Sequence, residues 1–269
     1  ILGVSNRDKG NREINIIERL DKSRSDIIKI IPNNFSSFKR MSFNKDIIQD
    51  NYNKFLNNQS IKEMRLDSIF NNIKEIGEII INKEAILIFK YDDFNLDELL
   101  KKFDPLNKYR EQIIYDGKNI NLSDFDILNF KISNNYDFIT NIGDCLVLSN
   151  NLDLIQNLIL NYNNQSVIFN DENFNKFLES VPNKTTFFEI INNSKNEEYE
   201  NFPFWFSNFE LKDENNFKSI YTTPSFDLKK NKSLNLKFSK KFQKKIIINP
   251  TFIDNYKLGE KNIILQDSD

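Results

Sequence analysis

Apolar residues recur at three- and four-residue steps from Lys45 to about Ile76: Ile47, Ile48, Tyr52, Phe55 and Leu56, then Ile61, Leu66, Ile69, Phe70 and Ile73. That period places them along one side of a helix and predicts two amphipathic helices in succession. The spacing changes at Ala85-Ile86-Leu87-Ile88-Phe89, a compact apolar run that suits a central strand, and helical spacing resumes over 94–103 until Pro105 stops it. Gln112 to Tyr115 and Ile120 to Leu122 flank Asp116-Gly117-Lys118-Asn119 and predict a hairpin, because Asp-Gly adopts positive φ readily. Runs at 125–132, 136–142 and 145–148 extend it to an antiparallel meander, and Leu152, Ile155, Leu158, Ile159 and Tyr162 form a helix stripe fit to cover one face.

A second unit opens with a short helix containing Phe174, Phe177 and Leu178, followed by Val181-Pro182-Asn183-Lys184 and a strand through Ile191. The earlier turn Ile31-Pro32-Asn33-Asn34 leads into a strand over 35–43 in the same way, which predicts an internal two-fold repeat with strands 35–43 and 184–191 in related places. Further strands are expected at 204–211, 217–222, 234–238 and 246–248. The fold class is therefore α+β, with antiparallel sheets covered by amphipathic helices. Its expected organisation is a lead-in segment at 1–26, a first α+β unit at 27–165 and a second, shorter one at 166–245, followed by 246–269.

Composition narrows the chemistry. The 269 residues carry 37 basic and 39 acidic side chains, a net charge of -2, so no global field recruits nucleic acid or an anionic membrane. Ala85 is the only alanine, and the Ile, Asn, Lys and Phe bias follows A/T-rich codons. There is no histidine, which removes the usual general base and the commonest metal ligand. The single cysteine, Cys145, lies in an apolar run and reads as a buried hydrophobe. No cofactor or metal site is expected. No apolar run reaches membrane-spanning length, no signal-peptide pattern is present, and the start at Ile1 rather than a methionine reads as a fragment.

Two Ser-x-x-Lys spacings, Ser36 to Lys39 and Ser42 to Lys45, match the serine and lysine of penicillin-recognising enzymes, but their companion elements are missing. Paired carboxylates at Asp92 and Asp93, Asp124 and Asp126, and Glu197 and Glu198 are candidates for acid–base work or calcium, although solvated turns explain them as well. Lys229, Lys230, Lys232, Lys237, Lys240, Lys241, Lys244 and Lys245 interleave with Leu and Phe. They suit either a nucleic-acid or anionic surface or, as the better-supported reading, an edge hairpin kept soluble by lysine. Trp205 and Phe206 lie in the densest aromatic cluster and complete, with Lys229, Lys230, Lys237, Lys240 and Lys241, the candidate interaction surface.

The proline-asparagine turn before a strand, the run Gly143-Asp144-Cys145-Leu146-Val147-Leu148-Ser149-Asn150 before an amphipathic helix, and the second turn at Val181-Pro182-Asn183-Lys184 occur in that order. The chain thereby resembles an uncharacterised bacterial envelope family with a duplicated α+β domain of unknown function ahead of a β-propeller. The resemblance covers about residues 27–269 and transfers no catalytic residue. It implies that 246–269 begins a propeller truncated at Asp269, with Ile263, Ile264 and Leu265 peripheral and largely unpaired. It further implies a non-enzymatic scaffold or interaction module of a larger protein at the bacterial cell envelope, whose partner is another protein or the parent's own propeller. Nucleic-acid or anionic-surface binding through 229–245 is the alternative, and a histidine-free hydrolase the third reading.

Overall fold

The computed structural model describes residues 2–6, 13–57, 66, 68–92, 96–118, 120, 122, 125–127, 130–132, 135–194, 196, 199, 202–211, 215–222, 251–255 and 260–264. In chain order the strands are β1 (Leu2–Asn6), β2 (Ser37–Ser42), β3 (Ile73–Ile81), β4 (Glu84–Tyr91), β5 (Pro105–Tyr109), β6 (Gln112–Asp116), β7 (Phe125–Ile127), β8 (Phe130–Ile132), β9 (Phe138–Ile142), β10 (Cys145–Ser149), β11 (Phe187–Asn192), β12 (Phe204–Leu211), β13 (Asn215–Thr222), β14 (Thr251–Asn255) and β15 (Glu260–Ile264). The α-helices are α1 (Lys45–Asn57), α2 (Leu96–Leu100), α3 (Leu152–Asn163) and α4 (Glu172–Glu179). The α+β class is as the periodicity predicts.

Eleven strands form one sheet in the order β1-β13-β12-β11-β2-β3-β4-β10-β9-β6-β5, and each described pairing is antiparallel. Both faces are covered. Ile48 and Leu56 of α1 and Leu96, Leu99 and Leu100 of α2 pack with Met41, Ile76, Leu87, Phe89, Leu146 and Leu148 on one face. Leu154, Ile155, Leu158 and Ile159 of α3 and Phe174 and Phe177 of α4 pack with Phe38, Ile79, Ile88, Val147, Phe188 and Ile190 on the other. Strands enclosed in this way lose strict apolar–polar alternation and read as continuous apolar runs, and all five residues of β10 are buried. Asn151 caps α3 by accepting from the backbone N–H of Asp153 and Leu154, and Asp171 caps α4 through the Phe174 N–H.

The second helix expected after α1 is not formed at its C-terminal end, where Ser68–Phe70 is a 3-10 turn and Ile73–Ile81 is β3. A register shift between Ile73 and Glu75 puts Ile73 and Ile76 in the same core despite a three-residue spacing. A bulge thus imitates the period of a helix. The Asp116-Gly117 hairpin is also corrected. β6 turns back on β5 through Arg110 and Glu111, at φ 46° and 68°, and Pro105 opens a strand. Gly117 serves close approach instead: a Cβ there would lie 2.3 Å from the Tyr136 carbonyl oxygen. The meander is interrupted, since among the described residues β7 and β8 pair with each other while β6 joins β9. No helix occurs at the described positions between 125 and 148.

The described part of the 1–26 segment belongs to the fold: β1 pairs with β13, Ile16, Ile17 and Leu20 are buried, and Ser23 bridges Thr185. Residues 1–228 form one compact unit and 229–269 a second. Within the second, β14 and β15 pair in register, Phe252 with Ile263 and Thr251 with Ile264. The unpaired tail expected at Ile263 and Ile264 is thereby corrected, because β14 supplies the missing ladder. Leu265 and the strands expected at 234–238 and 246–248 lie outside the described residues. Among the described residues no helix is long and apolar enough to cross a membrane.

Candidate functional site

β2 directs Phe38 and Arg40 to the face that carries α3 and α4, and Lys39 and Met41 to the opposite one, as a period of two requires. Arg40 stands opposite Gly77 of β3 and is 1% exposed. A Cβ on Gly77 would come 2.9 Å from Ile27 Cδ1 and 3.1 Å from Phe38 Cε2, so its absence lets the 3-10 turn at Ile27–Ile30 settle onto the sheet. That turn begins where Glu75 waits. Glu75 Oε1 accepts from the backbone N–H of Asp26 at 2.7 Å and of Ile27 at 3.1 Å, while Oε2 accepts from Arg40 Nε at 2.7 Å.

The guanidinium is saturated. Besides Glu75, its Nη1 donates to Ser42 Oγ at 2.9 Å and to the Thr185 carbonyl at 2.8 Å, and its Nη2 donates to Ser23 Oγ and, at 3.4 Å, to the Arg24 carbonyl. Five donors thereby meet five acceptors, the full capacity of arginine. A buried charge is tolerated when it is paired and its remaining hydrogen-bonding capacity is filled. The network ties the 23–27 segment, β2, β3 and Thr185, two residues ahead of β11, into one body.

Ser42 and Ser23 Oγ, 3.1 Å apart, border a cleft of about 640 Å³. Asp21, Asn44, Asn72, Lys74 and Asp92 contribute polar groups to its wall, and Leu20, Phe43, Ile47 and Ile73 its apolar floor. Lys74 Nζ and Asp92 Oδ2 form an ion pair. Asn44 Oδ1 is occupied by the Ile47 N–H at 3.1 Å.

The structure separates the sequence-predicted pairs. Lys45 Nζ donates to Asn71 Oδ1 at 2.8 Å, whereas Ser42 Oγ accepts from Arg40, so the hydroxyl faces a cation with no free lone pair rather than a base. Lys39 Nζ lies 3.0 Å from Glu78 Oε1, and Ser36 is exposed. Asp92 is taken by Lys74, and Asp126 is on β7. Asp93, Asp124, Glu197, Glu198 and the lysines Lys229, Lys230, Lys237, Lys240 and Lys241 lie outside the described residues.

Phe206 is a correction. It is 2% exposed and stacks on Phe188 at 5.2 Å with Tyr221 at 5.9 Å, because its position on β12 faces the core rather than solvent. Trp205, one residue earlier and on the opposite face, is half-buried and meets Tyr199 edge-on at 5.2 Å. Burial pushes the Cys145 thiol well above its ordinary pKa, assisted by the neighbouring Asp144 carboxylate, so it is a core residue and not a nucleophile. Burial opposes the charge on Lys90, but the Asp144 carboxylate at 2.6 Å outweighs it and holds the ammonium pKa above its usual value. Among the described residues no three of His, Cys, Asp and Glu are grouped to hold a metal ion.

Sequence reading missed Arg40, Glu75 and Ser23. The available signal was a charged residue at an inward position of an otherwise apolar strand pattern, which calls for a partner of opposite charge. Comparisons of the chain with protein families, with curated proteins and with solved structures found no match.

Proposed function

We propose that this chain is a non-enzymatic scaffold or interaction module of a larger, envelope-associated protein. The observation that carries the reading is the use made of the buried polar cluster around Arg40. Arg40, Glu75, Ser23 and Ser42 form a closed set whose hydrogen bonds are spent on joining β2, β3, the 23–27 segment and Thr185. Such a cluster fixes geometry and holds no hydroxyl in an activated state.

A duplicated architecture belongs to the same proposal. Outward from the β2–β11 contact the sheet runs β3 then β4 on one side and β12 then β13 on the other, in chain order on both sides. A two-fold axis between β2 and β11 would exchange these triplets, with Ile31-Pro32-Asn33 and Val181-Pro182-Asn183 leading into the exchanged strands. The envelope location and the propeller partner rest on the resemblance described above, and the lysine-segment alternative rests on sequence alone.

The complete reading frame decides the first point: repeats of about 40–50 residues, each with four strand patterns, should follow Asp269. A frame without them removes the propeller. Labelling with a serine-reactive fluorophosphonate decides the second. No labelling of Ser42 is expected, and labelling that Ser42→Ala abolishes would replace the scaffold by the hydrolase.

A further inference from the structure

The cleft beside Ser23 and Ser42 lies within the several-hundred Å³ range of small-molecule sites, and its chemistry selects a class of occupant. Among the described residues its ionic groups are Asp21, Asp92 and Lys74, a balance of one negative charge, and Lys74 is already paired with Asp92. That balance disfavours phosphate or carboxylate ligands. Arg40 brings no compensating field, since Glu75 neutralises it and its donors are filled. The groups presented to the cleft are the Asp21 and Asp92 carboxylates, which accept, and the Asn44 and Asn72 amides, which donate as well as accept. Phe43 and Ile47 line the same cleft and add apolar surface. Acceptors and donors arranged around an apolar surface suit a molecule whose hydroxyls each give and take a hydrogen bond and whose ring carbons cover the floor. We propose that this cleft binds a neutral, hydroxyl-rich ligand of the size of one or two sugar rings. Arg40 acts as a positioning residue, since it fixes the Ser23 and Ser42 hydroxyls of two lining residues.

The proposal goes beyond the scaffold reading and stands apart from it, since a module can carry a sugar without transforming it. Its test is saturation-transfer NMR on the full chain with glucose, N-acetylglucosamine and glucose 6-phosphate as probes. Asp21 and Asn72 are both exposed, and Asn72 has φ 62°, a backbone state that glycine accepts. The Asp21→Ala, Asn72→Gly double variant therefore removes two contact groups at little structural cost. Transfer to at least one neutral sugar is expected, weaker transfer to the phosphate, and a loss of affinity of about tenfold or more in the double variant with an unchanged thermal midpoint. Absence of transfer to both neutral sugars at millimolar concentration overturns the proposal, as does equal binding by the double variant or preference for the phosphate. If the double variant unfolds, the wild-type ranking of the three probes decides.

Discussion

Lys39 and Arg40 are neighbours on β2, and each reaches an acidic residue of β3, but on opposite faces and in different company. Arg40 and Glu75 have side chains 1% and 3% exposed and share their remaining hydrogen-bonding capacity with backbone and serine groups. Lys39 and Glu78 are 18% and 8% exposed and meet through an ammonium–carboxylate contact at 3.0 Å. The difference is one of commitment. A partly hydrated ammonium on a flexible stem can rearrange when its partner is lost, whereas a planar guanidinium fixed by five acceptors cannot. One pair is a junction between chain segments and the other a local cross-strand contact.

The largest expected effect comes from breaking the junction. Arg40→Ala strands the Glu75 carboxylate in the core and should cost about 3–5 kcal/mol in urea unfolding. Replacing both partners, Arg40→Met with Glu75→Leu, should recover much of that loss, because no uncompensated charge remains. Cys145 adds a second readout: the residue is 2% exposed, and its thiol should react with a thiol reagent only through opening, faster in Arg40→Ala than in the wild type. If Arg40→Ala unfolds at the wild-type urea concentration, the junction carries no stability.

Lys39→Met should cost less, about 1 kcal/mol, since Glu78 keeps some access to water and the methionine retains the apolar stem. Added salt should weaken the wild type's advantage over Lys39→Met but leave the Arg40→Ala difference nearly unchanged, because screening reaches the hydrated pair and not the buried one. Equal salt sensitivity of the two differences would erase the distinction between the faces.

The comparison also marks what the sequence could disclose. The helices α1, α3 and α4 and the strands β4, β9 and β10 were legible, since each has an uninterrupted period or a cap residue at its start. β3 was not, because its bulge spaces Ile73 and Ile76 like residues on a helix. The β5–β6 hairpin was hidden for another reason. Its turn places Arg110 and Glu111 at positive φ, which local preference opposes and which strand pairing on both sides of β6 imposes. The junction itself depends on register: Arg40 and Glu75 are 35 positions apart and meet only when β2 and β3 align Ser42 with Glu75. Sequence shows two charges amid apolar residues, and only the ladder shows that they are partners.

A third pair, Lys90 and Asp144, extends the comparison to the smallest effect. Lys90 follows Glu75 across the sheet in register and faces Cys145 on the next strand, so it borders the same charged row as Arg40. Its side chain is 11% exposed, but that of Asp144 is 67% exposed, so water screens the pair from one side. Burial by itself would lower the Lys90 pKa, but the hydrogen bond and charge of Asp144 act against it, and the net result lies above the ordinary 10.5. A lysine whose folded pKa exceeds its unfolded value adds stability that is complete below about pH 10.5 and disappears as pH rises through the folded value. The thermal midpoint difference between wild type and Lys90→Met should therefore be constant from neutral pH to the unfolded pKa, smaller than that for Lys39→Met, and shrink above it. Asp144→Asn should abolish the alkaline loss of stability or turn it into a gain, because burial then opposes the Lys90 charge, while leaving the neutral-pH fold intact. A difference that instead grows with pH would mean that burial prevails at Lys90, and that Asp144 does not hold its charge.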